Sequence, residues 1–233
     1  MDDFDQLTIV TPSQWLADRV SQSFLSTKEI IVIHNGIDTD NIFHPRDFEH
    51  LKKRHGLTNE KIVLAVAPNL MSEGKGGRWV VQLAKRFEGQ NVKFILIGVN
   101  DLQEKFEDNI IALGRTDNQI ELAEYYSMAD VTLLMSSRET FSLICAESIA
   151  CGTPVVGFES GAPESVFKPP CATFVKYGDL DAISYEVMQT LKNEKDRNTL
   201  ATFGSQKYGK NSMVKKYMEQ YHDEAFSRLN VEV

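Results

Sequence analysis

The sequence predicts an α/β fold, a parallel sheet flanked by helices, on three observations. First, several apolar runs are continuous: Ile62-Val63-Leu64-Ala65-Val66, Phe94-Ile95-Leu96-Ile97 and Val131-Thr132-Leu133-Leu134-Met135. A strand with one wet face alternates in polarity, whereas a strand covered on both faces does not, and parallel sheets between helix layers are built from the second kind. Second, these runs alternate along the chain with amphipathic segments of helical period. Third, a glycine-rich loop, Gly74-Lys75-Gly76-Gly77, joins one buried strand to the helix that follows it.

Taken in order, Leu7–Thr11 and Ile30–His34 are short strands, and Thr11-Pro12-Ser13 opens a helix between them. Asn35-Gly36-Ile37-Asp38 is turn chemistry, and with Pro45 it marks Asn35–Arg46 as a linker. Lys61–Ala67 is a buried strand, and Gly77–Phe87 is a helix with Val80, Val81, Leu83, Ala84 and Phe87 on one side. Strands Val92–Gly98 and Asn109–Leu113 lead to a helix over Gln119–Met128, whose inner positions include Ile120, Ala123 and Tyr126. Strand Val131–Met135 precedes a helix over Ser142–Ala150, stopped by Gly152. Pro154 starts the strand Pro154–Gly157, a place where its missing N–H is tolerated. After the strand Ala172–Val175 come helices over Asp179–Asn193, Glu194–Tyr208 and Asn211–Leu229, with no further strand. Residues 1–45 hold two strands and one helix, too little for a domain, so they are expected to be the tail of something larger. Residues 46–233 are expected to form the main domain.

Composition narrows the function. The chain has 233 residues, 42% hydrophobic and 25% charged, as in ordinary globular proteins. Its net charge of −8, from 25 Lys+Arg and 33 Asp+Glu, lacks the basic surplus of a nucleic-acid binder. Three cysteines, Cys145, Cys151 and Cys171, suit free thiols in a reducing compartment better than a disulfide framework. The five histidines (His34, His44, His50, His55 and His222) show no metal-ligand spacing. The acidic start, Met1-Asp2-Asp3-Phe4-Asp5, has no apolar core of a signal peptide. The longest apolar run, Val131 to Met135, is far short of the ~20 residues a membrane-spanning helix needs.

Two segments can carry chemistry. In the loop Asn69–Gly77, glycines allow close backbone approach, the following helix offers free N–H groups to an anion, and Lys75 adds a point charge. It is neither GxGxxG nor a Walker A loop, and an ordinary flexible turn with a solvated lysine has the same composition. In Glu139–Glu147, a carboxylate stands on each side of a helix start, with the N–H groups near Ser142 and Leu143 between them. That suits a diphosphate flanked by two polyols, each carboxylate accepting from a diol, as in a sugar nucleotide. The bland alternative makes Glu139 a charge favoured by the helix dipole and Glu147 a surface residue.

The Glu139…Glu147 spacing followed by Cys151-Gly152-Thr153-Pro154-Val155-Val156 strongly resembles the donor-binding domain of the retaining family-four glycosyltransferases of GT-B fold. Other matches fall in the same order: Thr11-Pro12-Ser13, Val32-Ile33-His34-Asn35-Gly36-Ile37-Asp38, Gly74-Lys75-Gly76, Leu122–Asp130 and Gly161-Ala162-Pro163-Glu164. Together they cover roughly residues 8–230. The resemblance implies a Rossmann-like GT-B half-domain with C-terminal helices, preceded by the end of an acceptor-side domain that is otherwise absent. It also implies transfer of a glycosyl group, with retention, from a UDP- or GDP-sugar co-substrate to a glycan or lipid-linked acceptor, with no metal and no further cofactor.

By position, the resemblance makes Lys75 and Glu139 the catalytic candidates. Lys75 would hold the diphosphate, aided by Gly74, and Glu139 would bind donor-sugar hydroxyls. Phe141, Ser142 and Leu143 would present backbone N–H groups. Glu147 would bind the ribose, Gly161 would line the sugar site, and the Gly114–Asp117 loop with Arg115 would lie beside the base. The family usually has an arginine shortly before the loop lysine. Here Asn69 stands near that position, and Arg78 or Arg115 are the candidates to replace the charge. An acceptor-domain partner chain or a homo-oligomer, and a cytoplasmic location at most peripheral to the inner face of the membrane, complete the expectation. Two other readings stay open: a non-catalytic nucleotide-sugar-binding or partner subunit, and another Rossmann-like enzyme such as an oxidoreductase.

Overall fold

The computed structural model describes residues 7–193 and 196–229, with side chains through His222. Along the chain run β1 (Thr8–Thr11), α1 (Gln14–Val20), β2 (Glu29–Val32), α2 (Glu49–Arg54), β3 (Lys61–Val66), α3 (Gly77–Arg86), β4 (Val92–Ile97), β5 (Ile110–Leu113), α4 (Gln119–Met128), β6 (Val131–Leu134), α5 (Leu143–Ala150), β7 (Val155–Phe158), α6 (Pro163–Val166), β8 (Ala172–Val175), α7 (Leu180–Lys192), α8 (Arg197–Tyr208) and α9 (Lys210–Leu229). Each expected strand is present within a residue or two at its ends. The helix expected from Glu194 is described from Arg197; positions 194 and 195 lie outside the described residues.

Two helices were not legible. In α2, Glu49-His50-Leu51-Lys52-Lys53-Arg54 has one apolar residue and so no periodicity, yet Leu51 is fully buried. In α6, one turn opening with Pro163 reads as loop, although proline is well placed in a first turn.

Six strands form an all-parallel sheet in the order β5-β4-β3-β6-β7-β8. The chain winds outward from β3 in one direction and from β6 in the other, the doubly wound Rossmann-like topology. The strand order reverses between β3 and β6, and a crevice opens there at the carboxyl ends of the strands. The continuous apolar runs explain themselves at this sheet. In β3, Ile62 and Leu64 join the core beneath α4, α5 and α8, while Val63 and Ala65 join the core beneath α3 and α7. In β4, Ile95 and Ile97 take the first face, and Phe94 and Leu96 the second. Successive side chains point to opposite faces, and both faces are dry.

The other two strands stand apart: β1 and β2 form a parallel two-stranded sheet, in register from Thr8↔Glu29 to Thr11↔Val32. The segment expected as a linker is packed rather than loose, with Ile37 and Phe43 buried. Ile37 bridges the junction of α8 and α9, its N–H donating to Tyr208 O at 2.9 Å and its carbonyl accepting from Lys210 N at 2.8 Å. Arg197 on α8 closes α4, donating to the Ser127 and Ala129 carbonyls at 2.7 and 2.6 Å, so orphan carbonyls at that helix end are satisfied.

Candidate functional site

Three loops meet at the crevice: the one after β3, the one after β6 and the one after β7. The first two touch through backbone, Ser137 N donating to Gly74 O at 3.0 Å. Gly76 makes this approach possible. It caps α3 at φ +78, and a Cβ there would stand 2.1 Å from Met135 O. The second and third loops are joined by a bridge between Glu139 and Gly161, with Glu139 N donating to Ser160 O at 2.9 Å and Ala162 N donating to Glu139 O at 3.1 Å. Glu164 holds the third loop by accepting from Gly161 N at 2.9 Å and Ser160 N at 3.1 Å.

In this frame Lys75 Nζ lies 2.8 Å from Glu139 Oε1. The two residues are 64 apart in sequence, and the fold brings them together at the point where the strand order reverses. The Glu139 side chain is 15% exposed and that of Lys75 36%, so the pair sits at the mouth of the crevice rather than in the core.

Beside Glu139, α5 begins. Ser142 is its N-cap, at φ +80, and its Oγ accepts from Cys145 N. The N–H groups of Phe141, Ser142 and Leu143 have no acceptor among the described residues, the state of a helix start that can receive an anion. The Phe141 ring is buried between His34, at a centroid distance of 5.6 Å, and Phe167, at 5.4 Å. The Leu143 side chain is outside, 46% exposed. His34 Nδ1 lies 2.8 Å from the Pro12 carbonyl, so Nδ1 carries the proton and donates. Burial lowers its pKa and favours the neutral ring.

Glu147 is one turn further along α5 and half-buried. Its Oε2 accepts from Tyr126 Oη of α4 at 2.9 Å. Burial pushes its carboxyl up to about 7, with the Tyr126 hydrogen bond acting in the opposite direction. It is thus not the surface residue of the bland alternative.

The remaining expected residues are further out. Asn69 is exposed in the loop after β3, its carbonyl accepting from Ser72 N and Oγ. Gly74 is exposed beside Ser137. Arg115 lies in the loop after the edge strand β5, paired with Asp117 at 2.8 Å, and makes no described contact with Lys75 or Glu139. Arg78, in the first turn of α3, is exposed and packs against its neighbour Trp79.

Sequence reasoning missed two participants. Tyr126 reads only as an inward position of α4, and its hydroxyl turns out to meet Glu147. Trp15 reads as apolar surface, but its indole stands against Gly161, and Ser13 Oγ ties the start of its helix to Thr140 O at 2.7 Å.

Comparison with known proteins gives this architecture relatives. The chain is 28% identical over 203 residues to the N-acetyl-alpha-D-glucosaminyl L-malate synthase of Bacillus anthracis, covering 82% of this chain and 52% of that protein. Its fold superposes on a sucrose-phosphate synthase from Thermosynechococcus elongatus with TM-score 0.76, 21% identity, and coverage of 95% of this chain and 59% of that one. It superposes on the Anabaena protein HepE, solved in complex with UDP, with TM-score 0.77, 18% identity, and coverage of 93% and 64%. The chain spans about half the length of the curated relatives it matches. The family model for glycosyl transferases group 1 matches residues 47–207. That span holds the whole six-stranded sheet with the three loops of the crevice, and the chain belongs to the glycosyl transferases group 1 family.

Proposed function

We propose that this chain binds a nucleotide diphosphosugar in the crevice and serves as the donor-binding half of a retaining glycosyltransferase. The observation that carries this is the Lys75–Glu139 pair beside the unpaired N–H groups that open α5. A cation and a helix start receive the diphosphate; a carboxylate next to them accepts hydroxyl hydrogen bonds from the sugar. Glu147, on the other side of the helix start, takes the ribose. UDP and GDP are the favoured nucleotides: one structural neighbour was solved with UDP, and one curated relative is named as a GDP-mannose-dependent mannosyltransferase.

In the reaction, the bond from the anomeric carbon to the diphosphate oxygen breaks and the diphosphate keeps the electron pair. A bond to the acceptor hydroxyl oxygen forms on the same face, and the hydroxyl proton is released. Lys75 and the α5 start stabilise the charge that gathers on the leaving diphosphate, the kind of fixed electrostatic help that dominates many enzymatic steps. Glu139 orients the sugar. The acceptor is a glycan or lipid-linked saccharide, as in surface polysaccharide synthesis, and the chemistry calls on no cofactor beyond the donor. Residues 1–45 act as the end of an acceptor-side unit, and 46–233 as the donor domain.

A second reading, a nucleotide-sugar-binding partner subunit without turnover, is favoured by Asn69, which leaves the first loop one cation short. Calorimetry with UDP-, GDP- and their sugar-linked forms tests binding, and a transfer assay with a supplied acceptor domain separates the two readings. No binding of any nucleotide sugar at millimolar concentration would remove both.

A further inference from the structure

The space that a side chain at Gly161 would occupy is filled by Trp15. Gly161 has φ +120, and a Cβ there would lie 2.7 Å from Trp15 Cε2, 2.9 Å from Cζ2 and 3.1 Å from Nε1. The edge of the indole that carries the N–H is therefore the edge that meets Gly161. Since Gly161 is bridged to Glu139, the indole forms a wall of the crevice on the side of that carboxylate.

Its placement is built, not incidental. Ser13 caps α1, its Oγ accepting from Leu16 N at 3.3 Å, and the same oxygen donates to Thr140 O at 2.7 Å. Ala17 is buried one turn on. One face of the indole is covered by the Arg19 guanidinium, whose Cζ is 4.1 Å from the ring centroid, a cation–π contact. Trp15 is half-buried and its Nε1 has no acceptor among the described residues, so the N–H is open to an acceptor from outside the chain. Next to Gly161, the buried Ser160 Oγ also lacks a partner. A buried polar atom without a partner, as at Ser160, is rare and calls for an explanation. A polar ligand at the Gly161 end would supply a hydroxyl oxygen to the accessible indole N–H.

We propose that Trp15 is a specificity-determining residue for the sugar moiety of the donor, its Nε1–H donating to a hydroxyl at the Gly161 end while Glu139 accepts from another. With Arg19 on one face, the ring reads the sugar through its N–H edge rather than by stacking on that face. The proposal rests on the donor-site reading above and adds to it a residue that no part of residues 46–233 supplies.

The test is calorimetric titration of the wild-type chain and W15F with UDP, UDP-glucose, GDP and GDP-mannose. Phenylalanine keeps an aromatic ring at this position and removes the N–H with part of the ring edge that meets Gly161. W15F should bind the nucleoside diphosphates within about twofold of wild type and lose about three- to tenfold in affinity for the preferred nucleotide sugar, the worth of one net hydrogen bond. Equal losses for diphosphate and sugar nucleotide, or no loss for either, overturn the role of Trp15 and leave the donor site standing. Absence of any nucleotide binding by wild type overturns the donor site and this proposal with it. A second measurement needs no change at Trp15. The chain has two tryptophans, and Trp79 packs edge-on against Phe158 and Tyr177. In W79F the emission of Trp15 should change on adding the nucleotide sugar and remain unchanged with the diphosphate alone. Identical emission with both ligands overturns the proposal.

Discussion

At Lys75 and Glu139 a single contact decides how the two roles can be told apart. In the crevice the lysine is engaged by the carboxylate at 2.8 Å, and a pair this exposed is worth only about 0.2–1 kcal/mol. A diphosphate therefore competes easily for the cation. Lys75→Ala should weaken nucleoside diphosphate and nucleotide sugar alike, by about 1.5–3 kcal/mol for a charged hydrogen bond. Glu139→Gln frees the lysine, so affinity for the bare diphosphate should hold or rise while affinity for the full donor falls. Calorimetric losses for the bare diphosphate as large in Glu139→Gln as in Glu147→Gln would contradict the assignment. Glu147 also leaves a mark on stability. Burial raises its carboxyl from 4.5 to about 7, so between those values the folded chain holds a proton that the unfolded chain releases. Its stabilising share is complete below about pH 4.5 and disappears as pH rises to about 7, an effect on the order of 3 kcal/mol. Glu147→Gln should flatten that part of the profile and exceed wild type in stability at pH 8. Denaturant melts at a series of pH values read this directly, and parallel wild-type and variant profiles would refute it.

The helix α5 is held by a strained cap, and that strain is testable. Ser142 has φ +80 and ψ +95, outside the usual range of a serine, while its Oγ satisfies Cys145 N. Ser142→Ala keeps the strained backbone and loses the cap, costing about 1 kcal/mol. Ser142→Gly loses the cap but relieves a conformation that costs a non-glycine residue about 1–3 kcal/mol. The expected order of stability in urea is glycine at or above wild type, then alanine; a glycine variant less stable than alanine would show that no strain is stored there. Strained positions like this are where sequence reasoning stops. The strands were legible because burial on both faces leaves no polar position to interrupt a run such as Ile62–Val66, and α3 and α7 because their apolar period is one-sided; in α4 the expected inner position Ile120 is exposed instead. The short α2 and α6 carry too few residues for a period. In the crevice, the loop glycines, Lys75, Glu139 and Glu147 were legible as residue types in suggestive places. The Lys75–Glu139 contact, the Tyr126 hydroxyl on Glu147 and Trp15 against Gly161 were not, because each is a meeting of side chains from different elements that residue type and local period do not place together.

Across the molecule the two sheets are finished to different degrees. The six-stranded sheet has both faces dry, as parallel sheets require. The β1–β2 pair is parallel as well, yet only two strands wide, with no further strand on either edge among the described residues. Parallel pairs of that width are not stable alone. Part of its support comes from the crevice, through Ser13 and Trp15 of α1. The rest of its surface stays open: Ile9, Val10, Leu16 and Val20 are half-buried, and Phe24 is 91% exposed. At the far end of the chain, Val214, Met218 and Tyr221 lie along one side of α9 and are 50%, 62% and 61% exposed, spaced as one helix face. Exposed apolar side chains of this kind favour association. The chain should therefore self-associate reversibly at high concentration, or bind a partner presenting a complementary α/β edge. Light scattering across a concentration series should show a rising average mass, and Phe24→Asp should lower it without altering nucleotide binding, because Phe24 is 91% exposed and makes no described contact with the crevice residues. A monodisperse monomer over the whole range would mean that α1 and the crevice loops suffice to keep the two-stranded sheet in place.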